Sequence, residues 1–155
     1  MTSPGSAEET TTVVIDNAYV VTVSGEEHPS GHIVVDGGRI TAVGPGPAPV
    51  DPSAAGAEWV DGTGCLATPG LVNTHHHLYQ WASQGLAVDG TLFEWLTTLY
   101  RPWSRMDAEV VSGAATAALG WLAKAGCTTT TDHHYLFPSG RGDLFAAGVE
   151  AAREV

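Results

Sequence analysis

At 155 residues with 43% hydrophobic side chains, the chain is long enough to bury a proper core and reads as globular. Its 17 acidic against 6 basic residues, a formal net charge of -11, argue against binding a nucleic-acid backbone or an anionic membrane and leave small neutral or basic molecules as partners. No basic n-region with an apolar run opens the sequence, and no later run reaches the ~18–20 apolar residues that span a bilayer, so a cytoplasmic location is expected.

Residues 1–10 are polar and are expected to form a disordered tail. Residues 12–15 and 18–21 are rich in β-branched and aromatic side chains and flank Asp16-Asn17, a hairpin signal. A second hairpin is expected from residues 32–35 and 39–43, joined by Asp36-Gly37-Gly38, whose glycines tolerate the positive φ of a tight turn. Pro45, Pro47, Pro49 and Pro52 mark residues 44–57 as a surface loop. Residues 58–61 and 65–67 are short extended pieces on either side of Gly62-Thr63-Gly64. His28 and His32 lie in this region without a partner pattern and read as structural. Cys65 and Cys127 fall outside any C-x-x-C spacing, so reduced, buried thiols are expected rather than a disulfide or a zinc ribbon.

Pro69-Gly70 then interrupts the chain, and Leu71-Val72 supplies the short apolar run of a buried parallel strand. Three histidines, His75, His76 and His77, fall at its carboxyl end. Alternation along a strand sends His75 and His77 to one face and His76 to the other, which makes His75 and His77 the candidate metal ligands. Neutral imidazoles suit zinc, iron and related ions. Past Gln80 the apolar period becomes helical. A short helix is expected over residues 92–100, capped by Thr91 or Asp89 and closed by Arg101-Pro102. A longer one runs from Asp107 to about Ala125, with Val110, Ala114, Ala117, Ala118, Trp121 and Leu122 as its apolar face and Gly126 ending it. The β-branched run beginning at Cys127 reads as a second buried strand ending in Asp132-His133-His134. A last helix from about Asp143 places Leu144, Phe145, Val149 and Ala152 at helical spacing. Strands followed by strand, helix, strand, helix predict an α/β chain with a parallel βαβ unit attached to a small β domain.

The stretch from Thr68 to Gln80, with its Pro-Gly, apolar strand, Asn73 and His-x-His, resembles the first barrel strand of the amidohydrolase superfamily. Gln80, three residues after His77, narrows the resemblance to guanine and 8-oxoguanine deaminases, in which that glutamine reads the purine. Leu99-Tyr100-Arg101-Pro102-Trp103 and the segment from Asp132 to Pro138 are similar to 8-oxoguanine deaminases and hydroxydechloroatrazine hydrolases.

The resemblance implies a composite β-sandwich (residues 11–68) leading into the first two units (residues 69–155) of a (β/α)8 barrel, which needs about 250 residues in full. It implies one divalent metal, zinc or iron, that acidifies water for attack on an amidine-type ring carbon of a purine-like substrate, 8-oxoguanine first among them. Guanine, cytosine or isocytosine, and triazines are alternatives, and the full-length enzyme is expected to be a homo-oligomer. The acid/base glutamate and the closing aspartate are expected beyond residue 155, so no catalytic acid or base is assigned within the chain. Two histidines leave the coordination unfinished, and the 155 residues alone are expected to be inactive. Trp103, able to stack on a flat ring, and His134, at the second strand's end, complete the substrate-site candidates with Gln80. Against the enzyme stands a short non-catalytic binding or structural module made of the same elements.

Overall fold

The computed structural model describes residues 11–51 and 56–155, so the expected tail at residues 1–10 and part of the proline-rich loop lie outside the described residues. The chain divides into two compact units, Met1–Pro69 and Gly70–Val155.

The strands β1 (Thr12–Val21), β2 (Glu27–Asp36), β3 (Arg39–Pro45), β4 (Ala57–Asp61) and β5 (Leu66–Ala67) make the first unit a β-sheet ordered β3-β2-β1-β4, with β5 also pairing β1. Strand β1 (Thr12–Val21) is one continuous strand, and the hairpin expected around Asp16-Asn17 does not form. Asn17 takes a positive φ of 62°, and the register against β2 (Glu27–Asp36) shifts between Ile15 and Ala18. The polar pair is therefore a bulge, a conformation that asparagine tolerates better than most residues. Beyond it β1 changes parallel partners, from β4 (Ala57–Asp61) to β5 (Leu66–Ala67). Asp61 spans the change: its Oδ1 accepts from Asn17 Nδ2 at 3.2 Å and from Thr63 Oγ1 at 2.7 Å. These bonds hold its carboxyl below the usual carboxylate range.

The second expected hairpin forms as read, between β2 and β3 (Arg39–Pro45), with Gly37 and Gly38 both at positive φ. Val14, Ala18, Val20 and Val34 are buried in this unit, and the buried ring of His32 bonds through Nδ1 to the Gly46 carbonyl at 3.0 Å. Cys65 is exposed, against expectation, and Cys127 is half-buried; neither forms a disulfide.

In the second unit β6 (Leu71–Asn73) pairs in parallel with β7 (Cys127–Thr130), and two helices lie between them in sequence. Thr91 and Glu94 form a reciprocal capping box at the start of α1 (Leu92–Trp103). The helix passes through Pro102, where Arg101-Pro102 was expected to close it. Proline's missing N–H falls in the last turn, where it forgoes only one bond, and Ser104 N–H still reaches the Tyr100 carbonyl at 2.9 Å.

Helix α2 (Ala108–Lys124) buries Val111, Ala114, Ala115 and Ala118, a face rotated from the expected one, and leaves Trp121 63% exposed. In an alanine-rich helix several stripes are apolar, and the small side chains are the ones that permit close packing on α3 (Leu144–Glu154). Helix α3 shows the same correction: Leu144, Gly148 and Ala151 are buried while Phe145 is exposed. Asp107 caps α2 by accepting from Val110 N–H at 3.0 Å. Replacing it by alanine is expected to cost about 1 kcal/mol, read as a lower melting temperature with unchanged far-ultraviolet circular dichroism at 25 °C.

Two buried clusters organise this unit. Tyr79, Leu99, Trp103, Met106, Val111, Leu136 and Leu144 form one, and Leu78, Ala115, Ala118 and Ala151 the other. Tyr79 and Leu78 belong to the 3-10 turn Leu78–Ser83, so the segment that follows the histidines is anchored in both clusters. No helix among the described residues is long and apolar enough to cross a membrane.

Candidate metal centre

Strand β6 ends at Asn73, whose Oδ1 accepts from the His75 N–H at 3.0 Å and turns the chain out of the strand. The histidines thus stand on a curl rather than on a strand. The face assignment read from alternation is nevertheless the one the rings adopt: His75 Nε2 and His77 Nε2 approach to 3.2 Å. Two nitrogens at that separation can both lie about 2.0–2.1 Å from one ion with an N–metal–N angle near 100°, within the tetrahedral range for zinc. The bond from His77 Nδ1 to the His133 carbonyl, 2.7 Å, fixes the tautomer, because a carbonyl oxygen can only accept. Nδ1 of His77 therefore carries the proton, and its Nε2 presents a lone pair toward His75.

His76 is turned away. Its Nε2 accepts the Trp81 Nε1–H at 3.0 Å, and burial, more than any neighbouring charge, lowers its pKa from the ordinary histidine value. The donor set of the pair fits a divalent ion in identity and spacing but contributes only two ligands. Among the described residues, no group of three or more His, Cys, Asp and Glu side chains is arranged to hold a metal.

The strand ends are tied beyond the β-ladder by Thr131 N–H to the Asn73 carbonyl at 3.0 Å and His133 N–H to the His76 carbonyl at 2.8 Å. Asp132 Oδ1 accepts from Leu78 N–H at 3.0 Å and holds the start of the 3-10 turn. A cleft of about 470 Å³ opens beside the histidines, lined among others by His75, His77, Gln80, Trp81, Leu86 and Trp95. Gln80 lies on it, with Nε2 donating to the Tyr135 hydroxyl at 2.7 Å and more weakly to that of Tyr79 at 3.3 Å. Tyr79 is fully buried, and burial pushes its phenol far above the ordinary value. The Tyr135 ring meets His77 edge-on at 5.1 Å, linking the glutamine to the histidine pair.

Two substrate-site candidates are corrected. Trp103 is 0% exposed, ringed by Tyr79, Trp95 and Tyr100, and its Nε1–H donates to Ser83 Oγ at 2.9 Å, so no face is open for stacking. The His134 side chain is 2% exposed, with Nε2 bonded to the Leu136 carbonyl at 2.8 Å and Nδ1 3.8 Å from Asp132. It is His133 that faces the histidine pair, stacked on His75 at 4.8 Å. The sequence leaves open which of His133 and His134 faces the cleft, and for Tyr135 the one available signal is its place in the run from Asp132 to Tyr135.

The profile of the amidohydrolase family matches residues 66–154, more than half of the chain. The chain belongs to the amidohydrolase family. This amidohydrolase chain is 42% identical over 123 residues to an 8-oxoguanine deaminase of Pseudomonas aeruginosa, covering 78% of the chain and 27% of that protein. It is 38% identical over 125 residues to a 5-methylthioadenosine/S-adenosylhomocysteine deaminase of Desulforudis audaxviator, covering 79% of the chain and 28% of that protein. Among solved structures it is similar to atrazine chlorohydrolase from Arthrobacter aurescens TC1 complexed with zinc, with a TM-score of 0.79 and 27% identity over 92% of this chain and 33% of that one. The chain therefore spans about a quarter to a third of the length of the relatives it matches, and its α/β architecture is that of the corresponding portion of these enzymes.

Proposed function

We propose that this chain carries the first metal-binding strand of an aminohydrolase that removes ammonia from a purine-like ring, with 8-oxoguanine as substrate. The observation that carries the reading is the 3.2 Å approach of His75 Nε2 and His77 Nε2, with His77 Nδ1 committed to the His133 carbonyl. When bound there, a divalent ion supplies the Lewis acidity that makes water a nucleophile at neutral pH. The chain's own residues do the rest of what is assigned here. His75 and His77 hold the ion, zinc in the first place, and the His133 carbonyl keeps His77 in the ligating tautomer. Gln80 meets the ring edge in the cleft beside them. The 42% identity to an 8-oxoguanine deaminase supports the oxidised purine, and the likeness to a triazine-acting enzyme keeps an s-triazine as the second reading.

The test is a substrate panel on the full-length enzyme: 8-oxoguanine, guanine, isocytosine, 5′-methylthioadenosine and a hydroxylated s-triazine, followed by ammonia release. The highest kcat/KM is expected for 8-oxoguanine, and a preference for the triazine would reverse the two readings. Replacing Gln80 by alanine should leave the metal content intact while lowering kcat/KM by about 1–3 kcal/mol, on the order of five- to a hundredfold. Unchanged kinetics would remove Gln80 from the ring site.

A further inference from the structure

We infer that the His133 side chain is a positioning residue for the metal pair, holding the His75 imidazole in the plane from which its Nε2 meets the ion; this rests on the metal-binding role proposed for His75 and His77. The two ligands are oriented differently. His77 has its Nδ1–H committed to the His133 carbonyl, whereas among the described residues nothing hydrogen-bonds His75 Nδ1. A ligating histidine without a partner on its second nitrogen is free to swing about its Cβ–Cγ bond unless something else fixes the ring.

The His133 ring supplies that constraint. It lies 4.8 Å from the His75 ring with the planes only 10° apart, and 5.7 Å from the His77 ring at 87°, so it covers one ligand face-on and meets the other edge-on. Its Nε2 is 3.2 Å from the Thr74 carbonyl. That nitrogen must be the donor, so it is not an additional metal ligand, and the bond holds the His133 ring in register with the residue just before His75. The backbone bonds of His133 to His76 and His77 need only the main chain. Stacking and the Thr74 bond are what the side chain adds.

The distinction gives a graded test in the full-length enzyme. His133→Ala keeps the backbone ties and removes the stacked ring, and its zinc dissociation constant, measured by chelator competition, is expected to rise on the order of ten- to a hundredfold. The visible absorption of the cobalt-substituted protein, which reports ligand geometry, should change with it, while thermal unfolding of the metal-free protein should not. His133→Phe keeps a ring over His75 and loses only the bond to Thr74, so its affinity should lie closer to wild type than that of the alanine variant.

An alanine variant with wild-type zinc affinity and an unchanged cobalt spectrum overturns the inference, as does a phenylalanine variant as weak as alanine. His75→Ala is the control that separates the two readings. If it loses metal while His133→Ala does not, only the positioning role fails; if the wild-type protein binds no zinc or cobalt, both fail.

Discussion

His75→Ala and His77→Ala are each expected to strip the divalent metal and abolish ammonia release together, while His76→Ala retains the metal. The geometry sets both halves of this expectation. The Nε2 atoms of His75 and His77 face one another at 3.2 Å, and that of His76 is occupied by the Trp81 indole N–H. If about 10–16 kcal/mol of zinc binding is shared among four ligands, each accounts for roughly 3 kcal/mol, or about two orders of magnitude in affinity. Metal analysis after dialysis of the three variants is the measurement. A metal-free His76 variant beside a metal-replete His75 variant would reverse the assignment.

Trp103→Ala is expected to lower stability by about 3–5 kcal/mol, the usual cost of emptying a large aromatic site in a core. Trp103 is fully buried at the centre of the cluster that joins α1, α2 and the 3-10 turn, and truncation also strips Ser83 Oγ of the indole N–H it accepts. Denaturant unfolding of the full-length enzyme measures the loss. Trp103→Phe, which keeps most of the packing, should retain the wild-type KM for the purine, and a large rise in KM with unchanged stability would return Trp103 to the substrate site.

The parts legible in the sequence were those governed by local rules. The glycines of Asp36-Gly37-Gly38 specify their hairpin turn without help from the rest of the fold, and Thr91 with Glu94 announces the start of α1. The rings of His75 and His77 do come together as alternation predicts, although the strand has already ended at Asn73, because the turn made by Asn73 Oδ1 leaves the two rings on one side. What was misread depended on contacts distant in sequence. Asp16-Asn17 has the composition of a turn, but β1 is paired on both sides by strands from elsewhere, and the same residues become a bulge. The buried faces of α2 and α3 are chosen by their mutual packing, which an alanine-rich stripe does not reveal. Which of His133 and His134 faces the pair is not legible locally, because the phase at the end of β7 is set by backbone bonds to Asn73 and His76, more than fifty residues earlier.

The bond between His77 Nδ1 and the His133 carbonyl joins residues 56 positions apart, so what fixes the His77 ring comes from a distant part of the chain. Closing a loop of that length costs roughly 3–4 kcal/mol of chain entropy beyond a constant term. The carbonyl is in place only where the segment after β7 lies beside the end of β6, whereas the His-x-His segment is local. The tautomer of His77 is thus a property of the assembled fold and not of its own segment.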